Sequence, residues 1–171
     1  PSHGNVYIDK VLLAENTIKS WQSIIGYVPQ SIYLSDDTVA SNIAFGIPKK
    51  EIDVEKIEQV AKKAQIHSFI TEQLPNGYET LVGERGTRLS GGQCQRIGIA
   101  RALYHDPQVL IFDEATSALD HQTEKILMDA INNLSGKLTI IMIAHRLSTL
   151  KEADKIIEID RGNVLRESYF E

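Results

Sequence analysis

The 171 residues carry 18 Lys and Arg against 23 Asp and Glu, a formal net charge of −5, and are 42% hydrophobic. A chain of this length buries a sizeable core as one domain with room for a subdomain. The acidic balance argues against a nucleic-acid surface, which needs clustered cations, and the single cysteine, Cys94, rules out an internal disulfide and fits a reducing compartment.

The opening residues, PSHGNVYID, have the turn-then-strand pattern of the middle of a domain, so the chain is expected to be a fragment. Residues 5–8 predict a strand through Val6 and Ile8, and 24–28 another that Pro29 closes. Asp53 is placed to cap a helix whose apolar Val54, Ile57, Ala61 and Ala64 recur at helical spacing. Residues 65–73 predict a second helix, stopped by the turn Leu74-Pro75-Asn76-Gly77. Ser90 caps the next, with Gln93 three residues on completing a capping box. Cys94, Ile97, Ala100 and Leu103 share one face of that helix, which ends before Pro107. Cys94 reads as a thiol on this face, since no nucleophile motif surrounds it.

Residues 109–112 are a continuous apolar run of strand length, expected to be buried on both faces. Ile126, Leu127, Ala130, Ile131 and Leu134 make 122–134 an amphipathic helix. A second buried strand is expected over 138–144, a run far too short to span a bilayer. Residues 155–159 and 164–165 form a closing hairpin around Arg161-Gly162-Asn163. Strands of this kind alternating with helices predict an α/β fold with a parallel sheet. The helical stretch from about 42 to 105 is too long for a connection, so 34–106 is expected to be a helical subdomain inserted between core segments 1–33 and 107–171.

Ligands of open α/β sheets sit beyond the carboxyl ends of the strands. Asp113 and Glu114 follow the 109–112 strand, His145 follows the 138–144 strand, and Gln30 follows the 24–28 strand. Each alone has an ordinary alternative: a helix cap or solvated loop for the acids, a structural role for His145, a surface position for Gln30. Together they deliver polar groups to one sheet edge. Asp113 suits a hard cation such as Mg2+, which prefers oxygen ligands and keeps its waters. Glu114 can polarise a water, His145 can steady charge on a phosphate, and Gln30 can bridge metal and water. Ser90, Gly91 and Gly92 start a helix whose unpaired N–H groups and partial positive charge favour an anion. Two glycines in the first turn weaken the helix by about 1 kcal/mol each without a local return, which favours the anion site over a plain cap.

These residues together resemble the nucleotide-binding domain of ATP-binding cassette (ABC) proteins over nearly the whole chain. Leu89-Ser90-Gly91-Gly92-Gln93 resembles the ABC signature, a highly specific motif. Residues 109–113 with Glu114 resemble Walker B and the catalytic glutamate, and Ser117-Ala118-Leu119-Asp120 the D-loop. Gln30 matches the Q-loop and His145 the switch histidine of the H-loop. The segment Thr80-Leu81-Val82-Gly83-Glu84-Arg85-Gly86 resembles the exporter X-loop, which in the family meets the membrane domain, and Ile143-Ala144-His145-Arg146-Leu147-Ser148-Thr149 the exporter form of the H-loop.

The resemblance implies a P-loop NTPase (RecA-like) core that binds ATP and Mg2+ and pairs head to tail with a second nucleotide-binding domain. It also implies coupling to transmembrane domains of an exporter or flippase, in the same polypeptide, at the cytoplasmic face of a membrane, with no nucleic-acid partner. Substrate choice in such exporters is expected to lie in the membrane helices. The family's G-x-x-x-x-G-K-[ST] is absent from these residues. Ser135-Gly136-Lys137-Leu138-Thr139 fails it, with Ile131 where the first Gly belongs and Leu138 where Ser or Thr belongs. The N-terminal β-subdomain and the P-loop strand and helix are therefore expected to precede Pro1. A non-transport ABC ATPase and a non-catalytic ABC-like module are the competing readings.

Overall fold

The computed structural model describes residues 3–83, 86–115, 121–134, 136, 138–144, 150 and 153–169. The chain opens on a short antiparallel hairpin, β1 (Tyr7–Ile8) and β2 (Val11–Leu12), whose two turn residues Asp9 and Lys10 both take positive φ, 46° and 69°. That pair of left-handed residues matches the twist of a two-residue hairpin. Helix α1 (Glu15–Ser23) follows, with the Thr17 hydroxyl accepting from the Ala14 amide at 2.8 Å. It buries no residue.

Strand β3 (Ile25–Val28) then enters the main sheet, and four helices follow: α2 (Val39–Ile43), α3 (Val54–Lys63), α4 (His67–Gln73) and α5 (Gly91–Tyr104). Thr38 caps α2 by accepting from the Ser41 amide at 3.1 Å. Asp53 caps α3 as the sequence requires, accepting from Lys56 at 3.0 Å. Thr38 and Leu81, both within 34–106, form an isolated antiparallel bridge. Strand β4 (Val109–Asp113), helix α6 (His121–Asn132) and strand β5 (Thr139–Ile143) continue the main sheet. The chain closes on an antiparallel hairpin, β6 (Lys155–Asp160) and β7 (Asn163–Tyr169).

The main sheet has the order β3-β4-β5, all parallel, with Val28 opposite Phe112 and Asp113 opposite Ile143. This bears out the parallel α/β expectation. Its burial differs from expectation in β5, which is covered on one face only, whereas β4 also buries Val109 on the face opposite Leu110 and Phe112. Leu110 and Phe112 are fully buried and Ile140 and Met142 pack against the core, whereas Ile111 is half-buried and Ile141 and Ile143 are 46% and 49% exposed. Side chains alternate across a strand, so a sheet packed on one face exposes every second residue however apolar the run.

Helix α5 packs against α2, α3 and β3, so it carries much of the core. Ile97, Ile99 and Ala100 are fully buried, and each isoleucine contributes about 1.5–3 kcal/mol over leaving it in water. Two glycines permit the close approach. A Cβ on Gly26 of β3 would stand 2.7 Å from Leu110 Cδ1 and 2.9 Å from the Ala102 carbonyl oxygen of α5. A Cβ on Gly98 of α5 would collide with the side chain of Ile32.

Cys94 is half-buried on α5, and burial pushes its thiol above the ordinary range. The folded state therefore holds the proton longer than the unfolded chain; this stabilisation is present below the ordinary thiol range and lost as pH rises through the folded value. Iodoacetamide labelling of the folded protein, followed by mass spectrometry against pH, should stay slow at neutral pH and accelerate only above the range of a free thiol. Fast labelling at neutral pH would contradict this.

Candidate functional site

Because β3, β4 and β5 run parallel, their carboxyl ends lie on one edge, and this edge gathers the polar groups. The side-chain amide Nε2 of Gln30, two residues beyond β3, donates to Oε2 of Glu114 at 3.0 Å. Asp113 ends β4, and its Oδ2 accepts from the Tyr27 hydroxyl at 2.8 Å. The hydrogen bond to Asp113, slight burial and the nearby carboxylate charge raise the Tyr27 phenol above its usual range. It is therefore a proton donor throughout the neutral range.

Glu114 has a left-handed backbone, φ +50°, and its amide donates to the Ile143 carbonyl at 3.1 Å. That bond extends the β4–β5 ladder by one residue while the positive φ turns the chain out of the strand. A non-glycine residue held in this region costs roughly 1 kcal/mol or more, a pattern that recurs at functional sites. Asp113, Glu114 and Gln30 offer oxygen donors only, a set that suits a hard divalent cation keeping most of its waters. Among the described residues no cluster of three or more His, Cys, Asp or Glu side chains is placed to hold a metal. His145 lies outside the described residues, as do Ser117, Ala118, Leu119 and Asp120.

The second group of predicted residues sits at the start of α5. Ser90 is the N-cap, with φ −69° and ψ 159°. Its Oγ accepts from the Gln93 amide at 3.3 Å, and Gln93 Oε1 accepts from the Ser90 amide at 2.8 Å, the expected capping box. The box occupies the Ser90 oxygen as an acceptor and leaves its O–H chemistry as a donor. A Cβ on Gly91 would meet no atom of this chain within 4 Å, so local packing does not require glycine there. Gly92 is buried and Leu89 packs against the core.

The predicted coupling segment is tied to the same region. The Val39 amide donates to the Thr80 carbonyl at 3.0 Å, and the Val82 amide to the Asp37 carbonyl at 3.1 Å. Gly83 and Gly86 take φ of 75° and 70°, with the Gly86 amide donating to the Gly83 carbonyl at 3.0 Å. A Cβ on Gly86 would lie 2.9 Å from Leu34 Cδ1 and 3.3 Å from the Cys94 sulfur, which fixes this turn beside the start of α5. Glu84 and Arg85 lie outside the described residues. Asp37, one of the two acids of 36–37, accepts from the Thr38 amide at 2.7 Å and from Lys49 at 2.9 Å. Lys49 above all, then the Thr38 amide, holds its carboxyl below the usual range.

Sequence reasoning missed Tyr27, whose approach to Asp113 depends on the parallel register, and the pair Asn42 and Arg101. Arg101 is a cation set in the apolar body of α5, a position that alone could have marked it.

The ABC transporter family model matches residues 1–117. The chain is 47% identical over 165 residues to P-glycoprotein 14 of Caenorhabditis elegans, covering 96% of this chain and 12% of that protein. It is 45% identical over 162 residues to the ATP-dependent lipid A-core flippase of Francisella tularensis subsp. tularensis (strain FSC 198), covering 95% of this chain and 26% of that protein. A solved structure of a bacterial Atm1-family ABC exporter with ATP bound aligns with 98% of this chain and 29% of its own, at TM-score 0.86 and 41% identity. The chain thus spans about a quarter or less of the length of these curated relatives.

Proposed function

We propose that this chain, which belongs to the ABC transporter family, is the ATP-hydrolysing part of an exporter or flippase. The observation that carries the proposal is the Gln30–Glu114 hydrogen bond at the carboxyl edge of the sheet, beside Asp113. Its α/β fold is that of the family's exporters, by its likeness to the solved exporter structure.

Glu114 is the general base, its carboxylate taking a proton from the attacking water. Gln30 steers that carboxylate through its Nε2 donor. The Asp113 carboxylate, with one oxygen fixed by Tyr27, and the Gln30 side-chain oxygen would hold Mg2+. His145 steadies charge at the phosphate end. When bound, ATP with Mg2+ supplies the phosphoanhydride whose hydrolysis drives transport. Leu89, Ser90, Gly91, Gly92 and Gln93 present the positive start of α5 to a nucleotide held by a second nucleotide-binding domain, head to tail, an isologous arrangement. Ser117, Ala118, Leu119 and Asp120 take the part of the family's D-loop. Gly83, Glu84, Arg85 and Gly86 transmit the change to the transmembrane domains, at the cytoplasmic face of the membrane. The segments 1–33 and 107–171 form the catalytic core and 34–106 the subdomain that carries Ser90. The lipid flippase and P-glycoprotein among its relatives support export rather than a nucleic-acid role.

The full-length protein that contains this chain, reconstituted in lipid, should hydrolyse ATP, and chelating divalent cations with EDTA should abolish turnover. Reconstituted protein that binds no ATP and shows no cation-dependent hydrolysis would overturn the proposal and leave a non-catalytic module.

A further inference from the structure

Asn42 of α2 is a fully buried polar residue, and every polar atom of its side chain is engaged. Its Nδ2 donates to the carbonyls of Ser35 and Thr38, both at 3.0 Å. Its Oδ1 accepts from the Ser35 amide at 2.9 Å, the Ser35 hydroxyl at 3.2 Å and Arg101 Nη2 at 3.2 Å. Arg101, near the end of α5, also donates through Nε to the Asn42 carbonyl at 2.7 Å and through Nη1 to the Tyr33 carbonyl at 2.9 Å. Its guanidinium carbon lies 4.9 Å from the centroid of the Phe45 ring. One rigid fork thus joins three pieces of chain: the helix that begins after Ser90, the helix that carries Asn42, and the segment 33–38 that starts three residues after Gln30.

The chemistry of this arrangement is unusual for a stability device. Arg101 is half-buried against carbonyl and amide oxygens, and among the described residues no carboxylate pairs with it. Desolvating a cation against neutral acceptors returns little stability, whereas a planar fork with several fixed donors imposes geometry. Lysine, a point charge on a flexible stem, cannot satisfy the three acceptors in their present places. Gly98, one turn earlier on α5, lets Ile32, the residue just before that segment, seat against the helix, so apolar and polar contacts fix the same junction.

We propose that Arg101 is a positioning residue for hydrolysis: acting through Asn42 and the Tyr33 carbonyl, it holds the 33–38 segment to the helix that starts at Ser90, and so sets how Gln30 meets Glu114. This rests on the ATP-hydrolysing reading above. Because the fork spans both groups of site residues, a movement of the Ser90 helix is passed to the segment that follows Gln30.

The test uses the full-length protein in lipid, with Arg101→Lys and Arg101→Met. Hydrogen exchange is read without nucleotide, and ATP turnover together with bound-nucleotide stoichiometry is read with it. Both variants should lower kcat about tenfold with an unchanged KM for ATP, the size of effect that a small misplacement of a catalytic group produces. Thermal midpoint and nucleotide stoichiometry of Arg101→Lys should stay at the wild-type value, and exchange should accelerate within 33–38 but not in α3. Wild-type kcat in Arg101→Lys, unchanged exchange at 33–38, or a parallel fall in kcat and nucleotide stoichiometry each overturns the proposal; the last is the mark of lost folded protein. A wild-type protein that hydrolyses no ATP sinks the functional reading instead, while the nucleotide-free exchange still decides whether Arg101 holds the segment.

Discussion

Glu114→Gln should abolish ATP turnover of the full-length protein, by about 100-fold or more, while leaving ATP binding intact. The exchange is nearly isosteric. The amide oxygen of glutamine can still accept from Gln30 Nε2, a bond of 3.0 Å in the native protein, and the left-handed backbone at 114 is equally open to either residue. What disappears is the basicity of the carboxylate, so water can be held but its proton is not removed. The variant should therefore accumulate with nucleotide bound and its two nucleotide-binding domains closed. Steady-state phosphate release and retention of radiolabelled ATP measure the two halves of this expectation. Undiminished turnover would refute Glu114 as the base.

Ser90→Arg should be as severe for a different reason. The native Ser90 oxygen caps α5 through the Gln93 amide, and loss of a serine cap by itself weakens a helix start by about 1 kcal/mol. That alone leaves a folded protein, since α5 is anchored by Ile97, Ile99 and Ala100. The larger effect is steric, because an arginine side chain fills the space in front of Gly91 that the proposed phosphate site needs. Ser90→Ala, which removes the hydroxyl and cap without filling that space, should keep a measurable fraction of turnover. In a homodimer, mixing the two inactive variants discriminates further. If Ser90 acts on the partner's nucleotide, a dimer of one Glu114→Gln and one Ser90→Arg subunit contains one fully native site and regains turnover. If Ser90 acts within its own chain, every site is defective and the mixture stays silent.

Much of this arrangement is legible in the sequence because it depends on local rules. The capping box of Ser90 and Gln93, the Asp53 cap and the 109–112 strand follow from hydrogen-bond chemistry and periodicity within a few residues. Helix α1 escapes such reading because ENTIKSWQS has only Ile18 and Trp21 as large apolar residues and buries nothing, so it leaves no periodic stripe. The half-exposed β5 escapes because composition alone cannot say whether a sheet is packed on one face or two. Tyr27 and Asp113 are 86 positions apart, and Arg101 and Asn42 are 59. Contacts at such separation depend on strand register and helix packing, which a single sequence does not display.

The close approach at Gly26 has a wider meaning for how the two halves of the site stay in step. With an Ala102 carbonyl and a Leu110 methyl both inside 3 Å of where a side chain would begin, β3 and α5 meet at backbone thickness. The junction works as a gauge with no allowance: the Ala102 carbonyl belongs to a helix backbone and cannot yield as a side chain tip would. Any residue larger than glycine would lift α5 from the sheet as a unit, and the start of that helix would move with it. The spacing between Glu114 and Ser90, the base and the anion site proposed above, is thus written at a position that touches neither.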